Sequence, residues 1–238
     1  MNRHLILIAG KSASGKSASL QTLRDPEKVL YLCCESGKEL PFRSKFKEMV
    51  VTDPMVIPKV FAKAEGTKDI ETIVIDTLTY LMDMYESKYV LTASNTMKAW
   101  SDYAQYFKRL HQDVIANSTK NVLVLAHTAD VYNEDAEVHE TMVKIKGSVM
   151  NTGVESYYTQ VVAAKKMAVR DLAEYKNPML HIEPEAEATG IKYCFQTKLT
   201  KETVNERIRN PIGLWKTEET YIDNDAQALI DKITTYYS

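Results

Sequence analysis

Short apolar runs alternate with stretches of helical spacing along the first two thirds of the chain. Residues 4–9, 28–34, 71–76 and 121–126 are apolar almost throughout, as strands buried on both faces are, and 49–52 reads as a shorter strand. Residues 16–24 and 78–91 read as helices. So does 97–117, where Trp100, Tyr103, Phe107, Leu110 and Val114 fall at i, i+3, i+7, i+10 and i+14. Strands separated by helices of this length predict βαβ units and a mostly parallel sheet. The last third changes rhythm. Residues 159–164, 179–182 and 192–197 read as strands joined without helices, which predicts antiparallel additions to the sheet. Residues 225–237 close the pattern as a helix with Ala226, Leu229, Ile230 and Ile233 on one face. No repeat, low-complexity tract or Pro/Gly-rich linker interrupts it, so the expectation is one α/β domain over residues 1–238.

Composition narrows the class little. With 238 residues, 45% hydrophobic and 26% charged, the chain can bury a sizeable core. A net charge of −2 announces no global nucleic-acid surface, so any such surface has to be a local patch. Three cysteines, two of them adjacent at Cys33-Cys34 on a core strand, fit neither a disulfide framework nor a zinc pattern. No apolar run reaches the length of about 20 residues that spans a bilayer, and the opening run is too short for a signal peptide. The expected location is the cytoplasm, with no membrane partner.

Chemistry enters at Gly10-Lys11-Ser12-Ala13-Ser14-Gly15-Lys16-Ser17, a complete G-x-x-x-x-G-K-S/T phosphate loop with an apolar strand before it and a helical stretch after it. The glycines let backbone N–H groups point inward at phosphates, and the following helix N-terminus adds partial positive charge. Lys16 is placed to reach the β- and γ-phosphates of ATP and the Ser17 hydroxyl to sit on Mg²⁺. Asp76, closing an apolar strand expected beside the phosphate-loop strand, supplies the second half of the magnesium site; a helix-capping Asp is the alternative.

The order of these motifs resembles the RecA-like recombinase and hexameric-helicase group of P-loop ATPases, and within it the small phage RecA-like ATPases associated with single-strand annealing. The likeness runs from residue 4 to about residue 216. It implies a RecA-like core and, residue by residue, a set of roles. Glu35, after the second strand, matches the glutamate that activates the attacking water, and a carboxylate there suits that task. Glu39 and Phe42 fall where RecA has an adenine-contacting acid and a stacking aromatic. His127 matches the polar residue that senses the γ-phosphate. The stretch 129–148 corresponds to the second DNA-binding loop, with Tyr132, Lys144 and Lys146 of the right kind and Glu134, Asp135, Glu137 and Glu140 of the wrong sign. Arg207 and Arg209, before Asn210-Pro211-Ile212-Gly213, resemble a cation pair that reaches a neighbouring subunit's γ-phosphate; Lys198 and Lys201 are second candidates.

The resemblance therefore implies an ATPase that self-associates head to tail as a ring or filament and binds single-stranded DNA, with a single-strand-binding protein as a further partner. RecA's flanking domains and the basic N-terminal lobe of many recombinases have no counterpart here, which points to annealing or loading rather than homology search. A helicase-type motor, a small-molecule phosphotransferase and an ATP-gated scaffold without turnover are the rival expectations.

Overall fold

The computed structural model describes residues 2–134 and 137–238; Asp135, counted above among the acids of the DNA loop, lies outside them. In chain order the elements are β1 (Leu5–Gly10), a 3₁₀ helix (Ser17–Thr22), β2 (Val29–Cys33), β3 (Lys47–Val50), α1 (Ile57–Glu65), β4 (Thr72–Asp76), α2 (Leu78–Tyr85) and α3 (Thr96–Arg109). There follow β5 (Asn121–Asn133), β6 (Val138–Val143), α4 (Ser148–Thr152), β7 (Gln160–Ala168), α5 (Pro184–Thr189), β8 (Ile191–Gln196), β9 (Tyr221–Asp223) and α6 (Ala226–Tyr237). Among the described residues the sheet order is β3-β2-β4-β5-β1-β7-β8-β9. Pairing is parallel from β3 to β7 and antiparallel through β8 and β9. The α/β class and the antiparallel additions are as the pattern predicts.

The continuous apolar strands are explained by their two covered faces. Leu5 and Leu7 pack with Phe61, Leu81 and Phe107 from α1–α3, while Ile6 and Ile8 pack with Leu229 and Ile233 of α6. Burial on both faces removes the period-2 alternation that a half-exposed strand shows. All three cysteines are free and buried.

Several expectations need correction. The helix after the phosphate loop is six residues of 3₁₀ rather than 16–24. Ser19 Oγ donates to the Lys16 carbonyl at 2.6 Å and Thr22 Oγ1 to the Ser19 carbonyl at 3.0 Å, while Asp25 turns left-handed before Pro26. Hydroxyls that compete for backbone carbonyls and a following proline both oppose helix growth. Helix α1 was not foreseen: its Ile57, Phe61 and Ala64 are buried, but a proline in its first turn disguises so short a pattern. The third antiparallel strand is β9, not 179–182. That segment, between Pro178 and Pro184, forms no strand; it hydrogen-bonds Asp223 at single positions and packs Leu180 and Ile182 inward, and α5 follows before β8.

The predicted loop 129–148 is largely a β-hairpin. Strand β5 runs beyond the sheet, and Thr128–Asn133 pair with Val138–Val143. Its acids mimic a loop in the sequence, yet two are tied across the ribbon. Thr141 Oγ1 donates to Asp130 Oδ1 at 2.7 Å and Asn133 Nδ2 to Glu140 Oε1 at 2.6 Å.

Candidate active site

The phosphate loop leaves the carboxyl end of β1 in a turn that its small residues dictate. A Cβ on Gly10 would lie 2.5 Å from Ser14 Oγ and 2.6 Å from the Ala164 carbonyl oxygen, so the loop closes only over a hydrogen. Gly15 takes φ +89°, a conformation glycine adopts without strain. Within this turn Lys16 is buried, its Nζ donating to the carbonyls of Gly10 (2.9 Å) and Lys11 (2.8 Å). Burial lowers the Lys16 pKa to about 8, against the opposing pull of Asp76 and Glu35. Lys11 gives only backbone: its side chain turns away to pair with Asp130 at 2.8 Å.

Asp76 closes β4, but the expectation that this strand lies beside β1 is corrected: β5 is inserted between them. The register places Gly10 opposite His127 on β5 and Asp76 opposite Leu125, so three strand ends converge. Asp76 Oδ2 accepts from Ser17 Oγ (2.7 Å) and Tyr31 OH (2.9 Å). Burial raises its pKa, opposed by these two hydrogen bonds. Its other oxygen, Oδ1, is buried with no hydrogen-bond partner. A buried carboxylate oxygen left over beside a serine hydroxyl fits a hard divalent cation, which oxygen ligands hold. Among the described residues no group of three or more His, Cys, Asp or Glu side chains is placed to hold a metal ion.

Glu35 and His127 meet over Lys16. His127 Nδ1 lies 3.5 Å from Lys16 Nζ, and its Nε2 lies 3.4 Å from Glu35 Oε1. An ammonium only donates, so Nδ1 accepts and Nε2 carries the proton toward the carboxylate. Burial, then the nearby Lys16 charge, lowers the His127 pKa, which makes the neutral ring the resident form at neutral pH. Its backbone N–H donates to Thr79 Oγ1 at 3.0 Å, fixing the strand end against α2. Glu35 Oε2 takes an ion pair from Lys38 Nζ at 3.0 Å, a residue that sequence reasoning did not single out.

These groups line a cleft of about 360 Å³ together with Ser12 to Ser17, Glu39, Tyr193 and Asn224. Phe42 does not line it. Phe42 packs edge-on against Phe46 at 5.8 Å and borders a neighbouring pocket. Besides the buried Tyr31, the cleft is lined by Tyr193 of β8, 43% exposed and lying against Gly15, with Asn224 Nδ2 donating to the Gly15 carbonyl at 2.8 Å. Neither Tyr193 nor Asn224 was legible in the sequence, because both come from the last third of the chain and carry no motif.

The remaining candidates lie elsewhere. Arg207 pairs with Glu140 (3.0 Å) and Glu155 (3.5 Å). Arg209 is exposed, donating to the Ser156 carbonyl at 3.1 Å. Neither lines the cleft of its own chain. Lys198 approaches the Trp215 carbonyl at 3.5 Å and Lys201 is exposed. On the hairpin and just after it, Tyr132 and Lys144 are exposed, while Lys146 pairs with Glu86 at 2.6 Å. No helix among the described residues is long and apolar enough to cross a membrane.

Comparison with known proteins bears on this arrangement. The AAA domain family matches residues 3–183, which carry the phosphate loop, Glu35, Asp76 and His127. None of the curated proteins compared with the chain matches it. Among solved structures, a KaiC-like protein from the hyperthermophilic archaeon Pyrococcus horikoshii is similar at 10% identity and a TM-score of 0.46, over 87% of this chain and 83% of that one. With the phosphate loop, the strand-end carboxylates and a family match over most of its length, the chain belongs to the AAA domain family of P-loop ATPases.

Proposed function

We propose that the protein hydrolyses ATP in this cleft and couples that reaction to single-stranded DNA held along the β5–β6 hairpin, in the service of strand annealing or recombination. The observation that carries the reading is the position of His127. Its ring bridges Lys16 and Glu35, while its own strand continues into the hairpin and its carbonyl accepts from Lys144 N–H at 2.7 Å. A γ-phosphate that moves this ring therefore moves the root of the hairpin. The hairpin acids are less of an obstacle to DNA than their number suggests, since Asp130 is paired with Lys11 and Glu140 with Arg207. Tyr132 and Lys144 offer the aromatic and the cation that single-stranded binding uses.

In the reaction, Lys16 draws charge from the β- and γ-phosphates and Glu35 orients a water in line with the γ-phosphorus. The water oxygen bonds to phosphorus, its proton passes to the Glu35 carboxylate, and the bond to the β–γ bridging oxygen breaks to leave ADP and phosphate. Magnesium would be held by Ser17 and Asp76, where it neutralises phosphate charge. Neutral His127 donates to the phosphate or to Glu35 without adding a second fixed charge.

The test is fluorescence anisotropy with a labelled single-stranded oligonucleotide. Binding is expected to need ATP or a non-hydrolysable analogue, and to weaken steeply with salt as phosphate contacts release counterions. Binding that is absent, or indifferent to nucleotide, contradicts the DNA reading and favours a small-molecule acceptor.

Head-to-tail assembly belongs to the same proposal. Arg209, exposed and outside its own cleft, is available to a neighbour's γ-phosphate, and heterologous contacts of that kind build rings or filaments. Arg209→Ala and Lys16→Ala proteins, each inactive alone, are then expected to regain part of their ATPase activity when mixed. Subunit exchange without any return of activity rejects the shared site.

A further inference from the structure

Among the described residues lining the cleft, the lysines are Lys16 and Lys38. The first belongs to the phosphate loop; the second has no assigned part. Its placement is built into the turn that follows β2. Ser36 (φ +56°) and Gly37 (φ +79°) are both left-handed, and Lys38 N–H donates back to the Glu35 carbonyl at 3.2 Å. Two successive positive φ values with that hydrogen bond make a tight mirror-image turn, and a non-glycine residue adopts the left-handed region only where its surroundings hold it there. The turn folds Lys38 over the carboxylate three residues before it.

The two members of this ion pair differ in freedom. The Glu35 side chain is 12% exposed and the Lys38 side chain 66% exposed, so the carboxylate is fixed and the lysine is free to swing on its four-carbon stem. Each Glu35 oxygen has a partner, Lys38 on Oε2 and His127 on Oε1. Each oxygen keeps a second acceptor site that a water can join, and departure of the mobile Lys38 leaves Oε2 to that water alone.

Resting on the reading of Glu35 as the base of ATP hydrolysis, we infer that Lys38 is a cation in cis that exchanges its ion pair with Glu35 for the γ-phosphate of bound ATP. The exchange frees Oε2 for the attacking water and places a second positive charge on the phosphoryl group that departs. Lys38 thereby couples the presence of a γ-phosphate to the readiness of the base, which ADP cannot do. The Glu35 contact raises the Lys38 pKa, so the group is a full cation at neutral pH.

The experiment is calorimetric titration of the full chain with ADP and with a non-hydrolysable ATP analogue, alongside phosphate release. Lys38→Met is expected to weaken the analogue about tenfold or more, as loss of a charge-assisted hydrogen bond does, and to slow turnover. Its ADP affinity stays within about twofold of the parent's, a pattern that general damage to the fold does not give. Lys38→Arg keeps the charge and restores most of the analogue affinity. Glu35→Gln, which weakens the competing ion pair, binds the analogue more tightly than the parent, and adding Lys38→Met removes that gain. Parental analogue affinity in Lys38→Met, or an equal loss for ADP and analogue, overturns the assignment while leaving the ATPase reading intact. A parent protein that releases no phosphate contradicts the ATPase reading itself.

Discussion

Lys16→Ala protein is expected to release phosphate from ATP at no more than background, a loss exceeding about 10²–10³-fold, the range seen when one preorganised donor to a developing charge is removed. The Lys16 ammonium is held by two carbonyls of its own loop, so it is already aimed where the β- and γ-phosphates sit and needs little reorganisation to meet them. Its burial has a measurable signature. Desolvation leaves its pKa near 8, below that of a free lysine, whereas bound phosphate favours the charged form and pushes the pKa back up. Below pH 8 the group is already charged and nucleotide affinity is flat. Above pH 8 each binding event takes up a proton, so affinity falls toward about tenfold per pH unit until the pKa of the complex is reached. Titration of the parent with an ATP analogue between pH 7 and about 9.5 is expected to show this bend, and Lys16→Ala to lack it. Parental turnover in Lys16→Ala removes this lysine from the site.

Glu35→Gln is expected to bind ATP and hydrolyse it about 10²–10⁴-fold more slowly than the parent, the usual range for loss of a general base. The amide keeps the shape of the side chain and can still accept from His127 Nε2–H. It cannot take the proton of water. The fold is expected to survive, because the mostly apolar contacts that hold β2 between β3 and β4 do not involve this side chain. Single-turnover phosphate release separates the slowed chemical step from slow product loss. Unaltered turnover transfers the role of base to another residue.

What could be read from the sequence depended on how local the signal was. The phosphate loop and Asp76 are legible because contiguous residues carry both the motif and its strand context. The strands β1, β2 and β4 and the first half of β5 are legible because burial on both faces leaves an unbroken apolar run. The insertion of β5 between β1 and β4 is not legible, since pairing order leaves no local mark, yet it is what sets His127 between Lys16 and Glu35. The hairpin was hidden by acids whose partners, Lys11 and Arg207, are distant in sequence. Phe42 was misplaced for a similar reason: a residue count from Glu35 fixes no direction, and its ring turned to Phe46, leaving Tyr193 at the cleft. Lys38 went unnoticed because a lysine in a polar turn resembles any solvated lysine until its carboxylate partner is known.

The central claim, that this cleft both binds and hydrolyses ATP, is tested most directly by measuring ATP binding and phosphate release on one preparation of the parent protein and of Glu35→Gln. The account predicts saturable binding in both, with phosphate release in the parent and almost none in Glu35→Gln. Equal binding with no release from either protein would contradict it, and would make the chain an ATP-gated scaffold rather than an ATPase.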